Sequence, residues 1–157
     1  MNECELRDFP MVLEQSILKR KLIEKKVLQE IGKIVRDKAK ELIGHEQPEW
    51  ASLSPYTIAD RVARGYAPNE PLLREGKLRD ALQYEVLPLE NSVCIGYQGS
   101  EVAKYARVQE LGYGKVPPRP TLKTALFREF KKIIQIVSPL GYIFKTYNKS
   151  TATFTKE

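Results

Sequence analysis

Residues 11–44 contain no proline, and Gly32 is the only glycine inside the run. Leu13, Ile17, Leu28, Ile31, Val35 and Leu42, with Leu18, Leu22, Val27, Ile34 and Ala39 beside them, recur at three- and four-residue steps. That spacing predicts one amphipathic helix, with Gly44 as its C-terminal stop. At ~1.5 Å per residue such a helix is about 50 Å long. A compact domain of this size cannot cover that length, so part of the apolar stripe is expected to face another chain. The competing expectation is a break near Gly32, giving two shorter helices within one core.

The chain has 157 residues and 42% hydrophobic composition, enough for one domain with a core. We read 1–157 as a single domain: helix 11–44, a middle 45–137 and an arm or hairpin at 138–157. Cys4 and Cys94 form no CxxC, which excludes a disulfide scaffold and a cysteine-rich zinc module. No apolar run reaches the ~20 residues of a membrane-spanning helix, and the first residues do not read as a signal peptide. No membrane partner is therefore expected, and the protein is expected in a cytoplasm.

The formal net charge is +6, distributed unevenly. Residues 1–10 carry −2, 11–44 carry +4, 45–120 carry −1 and 121–157 carry +5. The basic flanks suit an acidic partner or nucleic acid, or serve only for solubility. Lys19, Lys26 and Lys33, seven apart, fall on one side of the long helix, while Lys21 and Lys25 point elsewhere. Lys131 and Lys132 add a second basic pair. These five lysines are the candidate basic contact surface. Nothing accompanies them that reads base sequence, so binding would be non-specific.

The middle alternates short elements. Ser54-Pro55 reads as an N-cap and first helical residue, followed by Ile58, Val62 and Ala63 up to Gly65. Two prolines make 66–71 a surface loop. A helical turn spans about Gly76 to Ala81. Tyr84 and Val86, then Val93, Ile95 and Tyr97, alternate at period two around Pro88-Leu89-Glu90-Asn91. That pattern predicts a β-hairpin, 82–88 with 92–97. Ser100 would cap a helix ending at Gly112. Leu122, Leu126, Phe130, Ile133 and Val137 mark a last amphipathic helix, closed by Ser138-Pro139. Alternation in the tail allows a second hairpin or an extended arm. The fold class is α+β: a small antiparallel sheet with a β-hairpin at about 82–97, packed by the long N-terminal helix and the C-terminal amphipathic helix.

Catalysis finds little support. His45 is the only histidine and sits where it would cap a helix end. Glu75 and Asp80 read as solvated carboxylates. No HExxH, GxSxG or GxxxxGK[ST] occurs. No enzyme activity, cofactor or metal is expected.

Five segments of the middle, in order, resemble the phage virion-morphogenesis family, the tail-completion or head–tail joining proteins of tailed bacteriophages. They span about Trp50 to Ile133. Trp50-Ala51-Ser52-Leu53-Ser54 is similar to the family's Trp-x-x-Leu-Ser. Pro71-Leu72-Leu73-Arg74-Glu75-Gly76-Lys77-Leu78 resembles its Pro-Leu-x-x-x-Gly-x-Leu. Val93-Cys94-Ile95-Gly96 follows, then Tyr105-Ala106 with Gln109 and Gly112, like Tyr-Ala-x-x-His-Gln-x-Gly. Pro117-Pro118-Arg119-Pro120 resembles Pro-x-Arg-Pro before the final helix. Val108, Ala81 and Thr121 depart from the family's usual His, Ser and Phe.

The motif positions Trp50, Leu53, Leu73, Gly76, Leu78, Gly96, Tyr105, Ala106, Gly112, Arg119 and Pro120 have structural readings of their own. Trp50 and Leu53 are expected to anchor a core over the sheet. Arg119, held between prolines, would meet a carboxylate, either of a partner or of this chain. The resemblance implies a non-catalytic virion protein at the head–tail junction or tail end. It would assemble with itself into a sixfold ring and contact head-connector and tail proteins, in the host bacterial cytoplasm and then in the virion. DNA could pass the ring without specific contacts. The alternative is a non-specific nucleic-acid-binding module using the basic N- and C-terminal helices.

Overall fold

A computed structural model of the chain describes residues 9–87, 89–138, 142–143 and 155–156, with side chains for 18–87 and 89–138. Helix α1 runs unbroken over Phe9–Leu42. Gly44, at φ +95, ends it as expected.

Gly32 is not a break. A Cβ built there would lie 2.5 Å from the Tyr84 ring and 2.9 Å from Val93. The glycine is thus the place where the hairpin comes closest to α1. The cost of glycine in a helix, about 1 kcal/mol, is offset by that close approach. Arg36, one turn further on, lays its guanidinium over Tyr84 at 5.0 Å.

The hairpin is β1, Leu82–Leu87, and β2, Ser92–Tyr97, antiparallel with Leu82 opposite Tyr97 and Leu87 opposite Ser92. Asn91, at φ +48, supplies the left-handed residue of the turn. Leu82, Tyr84 and Val86 share one sheet face with Val93, Ile95 and Tyr97. That face meets α1, and exposed Glu85 and Cys94 occupy the other.

The last helix, numbered α5 because α2 to α4 precede it, covers Leu122–Val137 and lies against α1. The main core collects Val35, Ala39 and Leu42 of α1, Trp50, Leu82, and Ala125 and Ile133 of α5. So α1 carries both the sheet and α5, and Leu82, Ala125 and Leu122 join one core. The fold is α+β, with its small antiparallel sheet and its last helix both packed on the long first helix.

A second, smaller cluster joins Ile43, Leu78 and Ala106. It unites α1 with α3, Lys77–Asp80, and α4, Ser100–Leu111. Gly99, not Ser100, occupies the N-cap of α4 and makes no side-chain cap. Helix α2, Pro55–Ala63, begins as read: the Ser54 hydroxyl accepts the Thr57 N–H at 3.2 Å. Its inward residue is Arg61, whereas Val62 is exposed. Two short strands, β3 at Tyr142–Ile143 and β4 at Thr155–Lys156, pair antiparallel. The rest of the expected tail hairpin or arm lies outside the described residues.

Candidate functional site

The motif positions gather around three loops, not around a reactive centre. Trp50 is buried in the main core, and Leu53, half-buried, lines a small cavity of about 40 Å³ with Trp50, Pro71 and Arg119. The Arg119 guanidinium donates to the carbonyls of Ala51 at 2.9 Å and Ser52 at 3.4 Å. Its own N–H donates to the Gln109 carbonyl at 2.6 Å. Among the described residues no carboxylate of this chain pairs with Arg119. Arg119 is buried and ties loop 45–53 to the segment before α5. One nitrogen, Nη2, serves both carbonyls, which fixes the loop's main chain against the buried arginine.

Leu73 packs into the second cluster, and its carbonyl accepts Arg61 Nη2 at 2.5 Å. Arg61 Nε donates to the Ala67 carbonyl at 2.7 Å. This buried arginine therefore pins the loop 66–73. Nothing in the sequence singled it out, since a helix charge ordinarily reads as solvated. Gly76, at φ +82, turns the chain into α3, and Leu78 and Ala106 fill the second cluster.

Gly112, at φ +75, lies within a tight turn: an added Cβ would sit 3.0 Å from Pro118 Cδ and 3.1 Å from the Val116 carbonyl oxygen. Pro120 is half-buried directly before α5. Gly96 has open space around it and no positive φ; nothing in the structure explains its glycine. Tyr105 projects from α4, half-exposed.

The departure at Thr121 has a local explanation. Its buried hydroxyl hydrogen-bonds the Glu110 carboxylate and the Tyr97 hydroxyl. The same Glu110 oxygen accepts the N–H groups of Thr121 at 2.7 Å and Leu122 at 2.8 Å. A glutamate at the end of α4 thus caps the start of α5, where a negative charge suits the helix dipole. Burial, eased by the Thr121 hydrogen bond, pushes the Tyr97 hydroxyl up to about 12. Sequence reading missed Glu110, because its partner helix begins twelve residues later.

The five candidate lysines do not form one patch. Lys19 and Lys26 are exposed on the first half of α1. Lys33 and Lys132 both line an open cleft between α1 and α5, together with Lys38 and with Glu30, Asp37, Glu41 and Glu129. Acids there outnumber the bases, so the cleft has no excess positive charge to hold phosphates. Lys131 is exposed on α5.

His45 Nδ1 is 2.8 Å from the Glu41 carbonyl oxygen, the helix-end contact its position suggested. Glu75 is held below the usual carboxylate range by its hydrogen bonds with Lys77 and Tyr66. Asp80 lies beside Arg79 at 4.0 Å. Among the described residues no three His, Cys, Asp or Glu side chains are placed to hold a metal ion, and no helix is long and apolar enough to cross a membrane.

What remains are exposed apolar surfaces. Leu18, Leu22 and Ile23 lie on the first half of α1, at 56%, 61% and 50% exposure. Tyr105 and Leu111 on α4 and Tyr113 in the turn after it are exposed as well. Compared with family models, with curated proteins and with solved structures, the chain matches none.

Proposed function

We propose that the protein is a structural component of a tailed-phage virion, acting at the head–tail junction or tail end by forming a ring through protein–protein contacts. The resemblance of five ordered segments supports the phage assignment. The observation that carries the mechanism is exposed apolar side chains at two separate places, Leu18, Leu22 and Ile23 on the first half of α1 and Tyr105, Leu111 and Tyr113 at α4 and the turn after it. A ring needs a heterologous interface, in which two different patches of identical subunits meet and the rotation closes. The motif residues hold the loops that frame the second surface: Gly112 shapes the turn bearing Tyr113, and Arg119 fastens its far end. In this role the protein would carry no catalysis and work in the host cytoplasm until incorporated into the virion, between connector and tail proteins.

Light scattering on the eluting protein tests the reading. The expected mass is a multiple of 18.0 kDa, near sixfold, and Leu22→Asp is expected to lower it. A strict monomer at high concentration, both alone and with connector and tail proteins present, would contradict it. Titration with duplex DNA at several salt concentrations covers the alternative of a nucleic-acid module on the basic flanks. Binding near ~1 µM with a steep negative log–log slope would favour that alternative.

A further inference from the structure

Trp50 Nε1, Gln109 Oε1 and Arg119 Nε are buried side-chain polar atoms without a hydrogen-bond partner among the described residues. Two of them belong to residues that line one small cavity at loop 45–53, about 40 Å³ in volume. Trp50 and Arg119 are 7% and 8% exposed, so both N–H donors are withdrawn from bulk solvent. A donor left without an acceptor at that depth is costly. The guanidinium end of Arg119 is the part that borders the cavity: its Nη2 donates to the Ala51 and Ser52 carbonyls, and both of those residues are in the lining. Glu46, also in the lining, is exposed, so the cavity meets solvent on that side.

We infer that this cavity is a binding site for one carboxylate group, with Arg119 and Trp50 as its donors. Charge is the first argument. The two carbonyls on Arg119 supply dipoles but no counter-charge, and no carboxylate of the described residues pairs with it. Buried cations are ordinarily paired. A water molecule would accept an N–H and leave the charge, whereas a carboxylate answers both. Size is the second. The volume admits about three water-sized groups, which suits a carboxylate and is too small for a phosphate. The third is the wall. Leu53 and Pro71 keep the surroundings apolar, and a charge-assisted hydrogen bond is stronger there than in water. The group belongs to a free small acid or to a side chain of a second copy, and the chemistry of capture is the same for both. This inference does not rest on ring formation.

Trp50 is the only tryptophan, so its indole N–H resonance reports on the cavity in the unmodified chain. Formate, titrated at constant ionic strength, is expected to move that resonance saturably with a midpoint in the millimolar range, the affinity open to so small a ligand. Formamide, its neutral counterpart, is expected to bind about tenfold more weakly. Glu46→Gln, at an exposed lining position, is expected to tighten formate about twofold by removing a like charge. Arg119→Lys keeps the charge but lacks the Nε–H, and is expected to abolish the shift; if that variant does not fold, formamide and Glu46→Gln decide. No saturable shift with formate, equal affinity for formamide, or an unchanged midpoint in Glu46→Gln would overturn the inference. The same titration separates the sources. A resonance that moves with protein concentration before formate is added, and that formate then displaces, assigns the carboxylate to a second copy. A resonance that ignores protein concentration and answers to formate assigns it to a free acid.

Discussion

The two halves of α1 have the same kind of sequence and opposite environments. From Ile31 to Ile43 the helix is the keel of the core, with Val35, Ala39, Leu42 and Ile43 at 2% exposure or less. From Leu18 to Lys26 it holds Leu18, Leu22 and Ile23, each at least half exposed, among five lysines and arginines, with Glu24 the buried residue of the stretch. Apolar spacing makes a helix in both halves. What buries the stripe is decided elsewhere, by the hairpin landing at Gly32 and by the loops fastened to the second half. The difference teaches that the second half of the helix is built into the core, while the first half keeps most of its apolar side chains exposed.

The sharpest way to break this comparison is a matched pair of truncations. Leu42→Ala should destabilise the chain by about 3 kcal/mol, through lost burial and a cavity. Leu22→Ala should stay within ~0.5 kcal/mol in the isolated chain. Urea denaturation reads both, and similar losses would mean the first half is also covered within one chain. Next in size is Arg119→Ala, expected to cost about 2 kcal/mol because the Ala51 and Ser52 carbonyls lose their buried donor. The same measurement checks it, and a neutral result would detach loop 45–53 from the account.

Tyr97 gives a pH signature to the buried region. Its folded value, about 12, lies above the ordinary tyrosine value near 10. The folded state therefore keeps a proton that the unfolded state releases. The associated stability is complete below pH ~10 and is lost as pH rises toward 12. Tyr97→Phe should flatten the alkaline fall in melting temperature over that window, while substitutions in the first half of α1 should leave it unchanged. The smallest expected effect separates two motif glycines. Gly112→Ala should cost about 1–2 kcal/mol, from positive φ and the 3.0 Å approach to Pro118. Gly96→Ala, in open space, should be close to neutral. Thermal melts distinguish them.

Much of the fold was legible because its signals are local. Period-two alternation placed the hairpin with its correct inner face, and Ser54-Pro55 and Gly44 marked real helix ends. The misreadings share a physical cause. Gly32 reads locally as a weak point, yet it is where a distant ring packs. Arg61 and Glu110 stand out in no local pattern, yet each satisfies main-chain groups in a segment reached only after folding. Arg119 was seen, but its partners proved to be carbonyls sixty-seven and sixty-eight residues away. The acids of α1 and α5 that share the cleft with Lys33 and Lys132 emerge only when the two helices meet.

Electron micrographs of the purified full chain test the central claim most directly, because they show subunit arrangement without presuming a partner. The account predicts closed rings of near-sixfold symmetry, alone or when connector or tail proteins are added, and their loss with Leu22→Asp. Dispersed single particles under all of these conditions, or rings unchanged by Leu22→Asp, would contradict it.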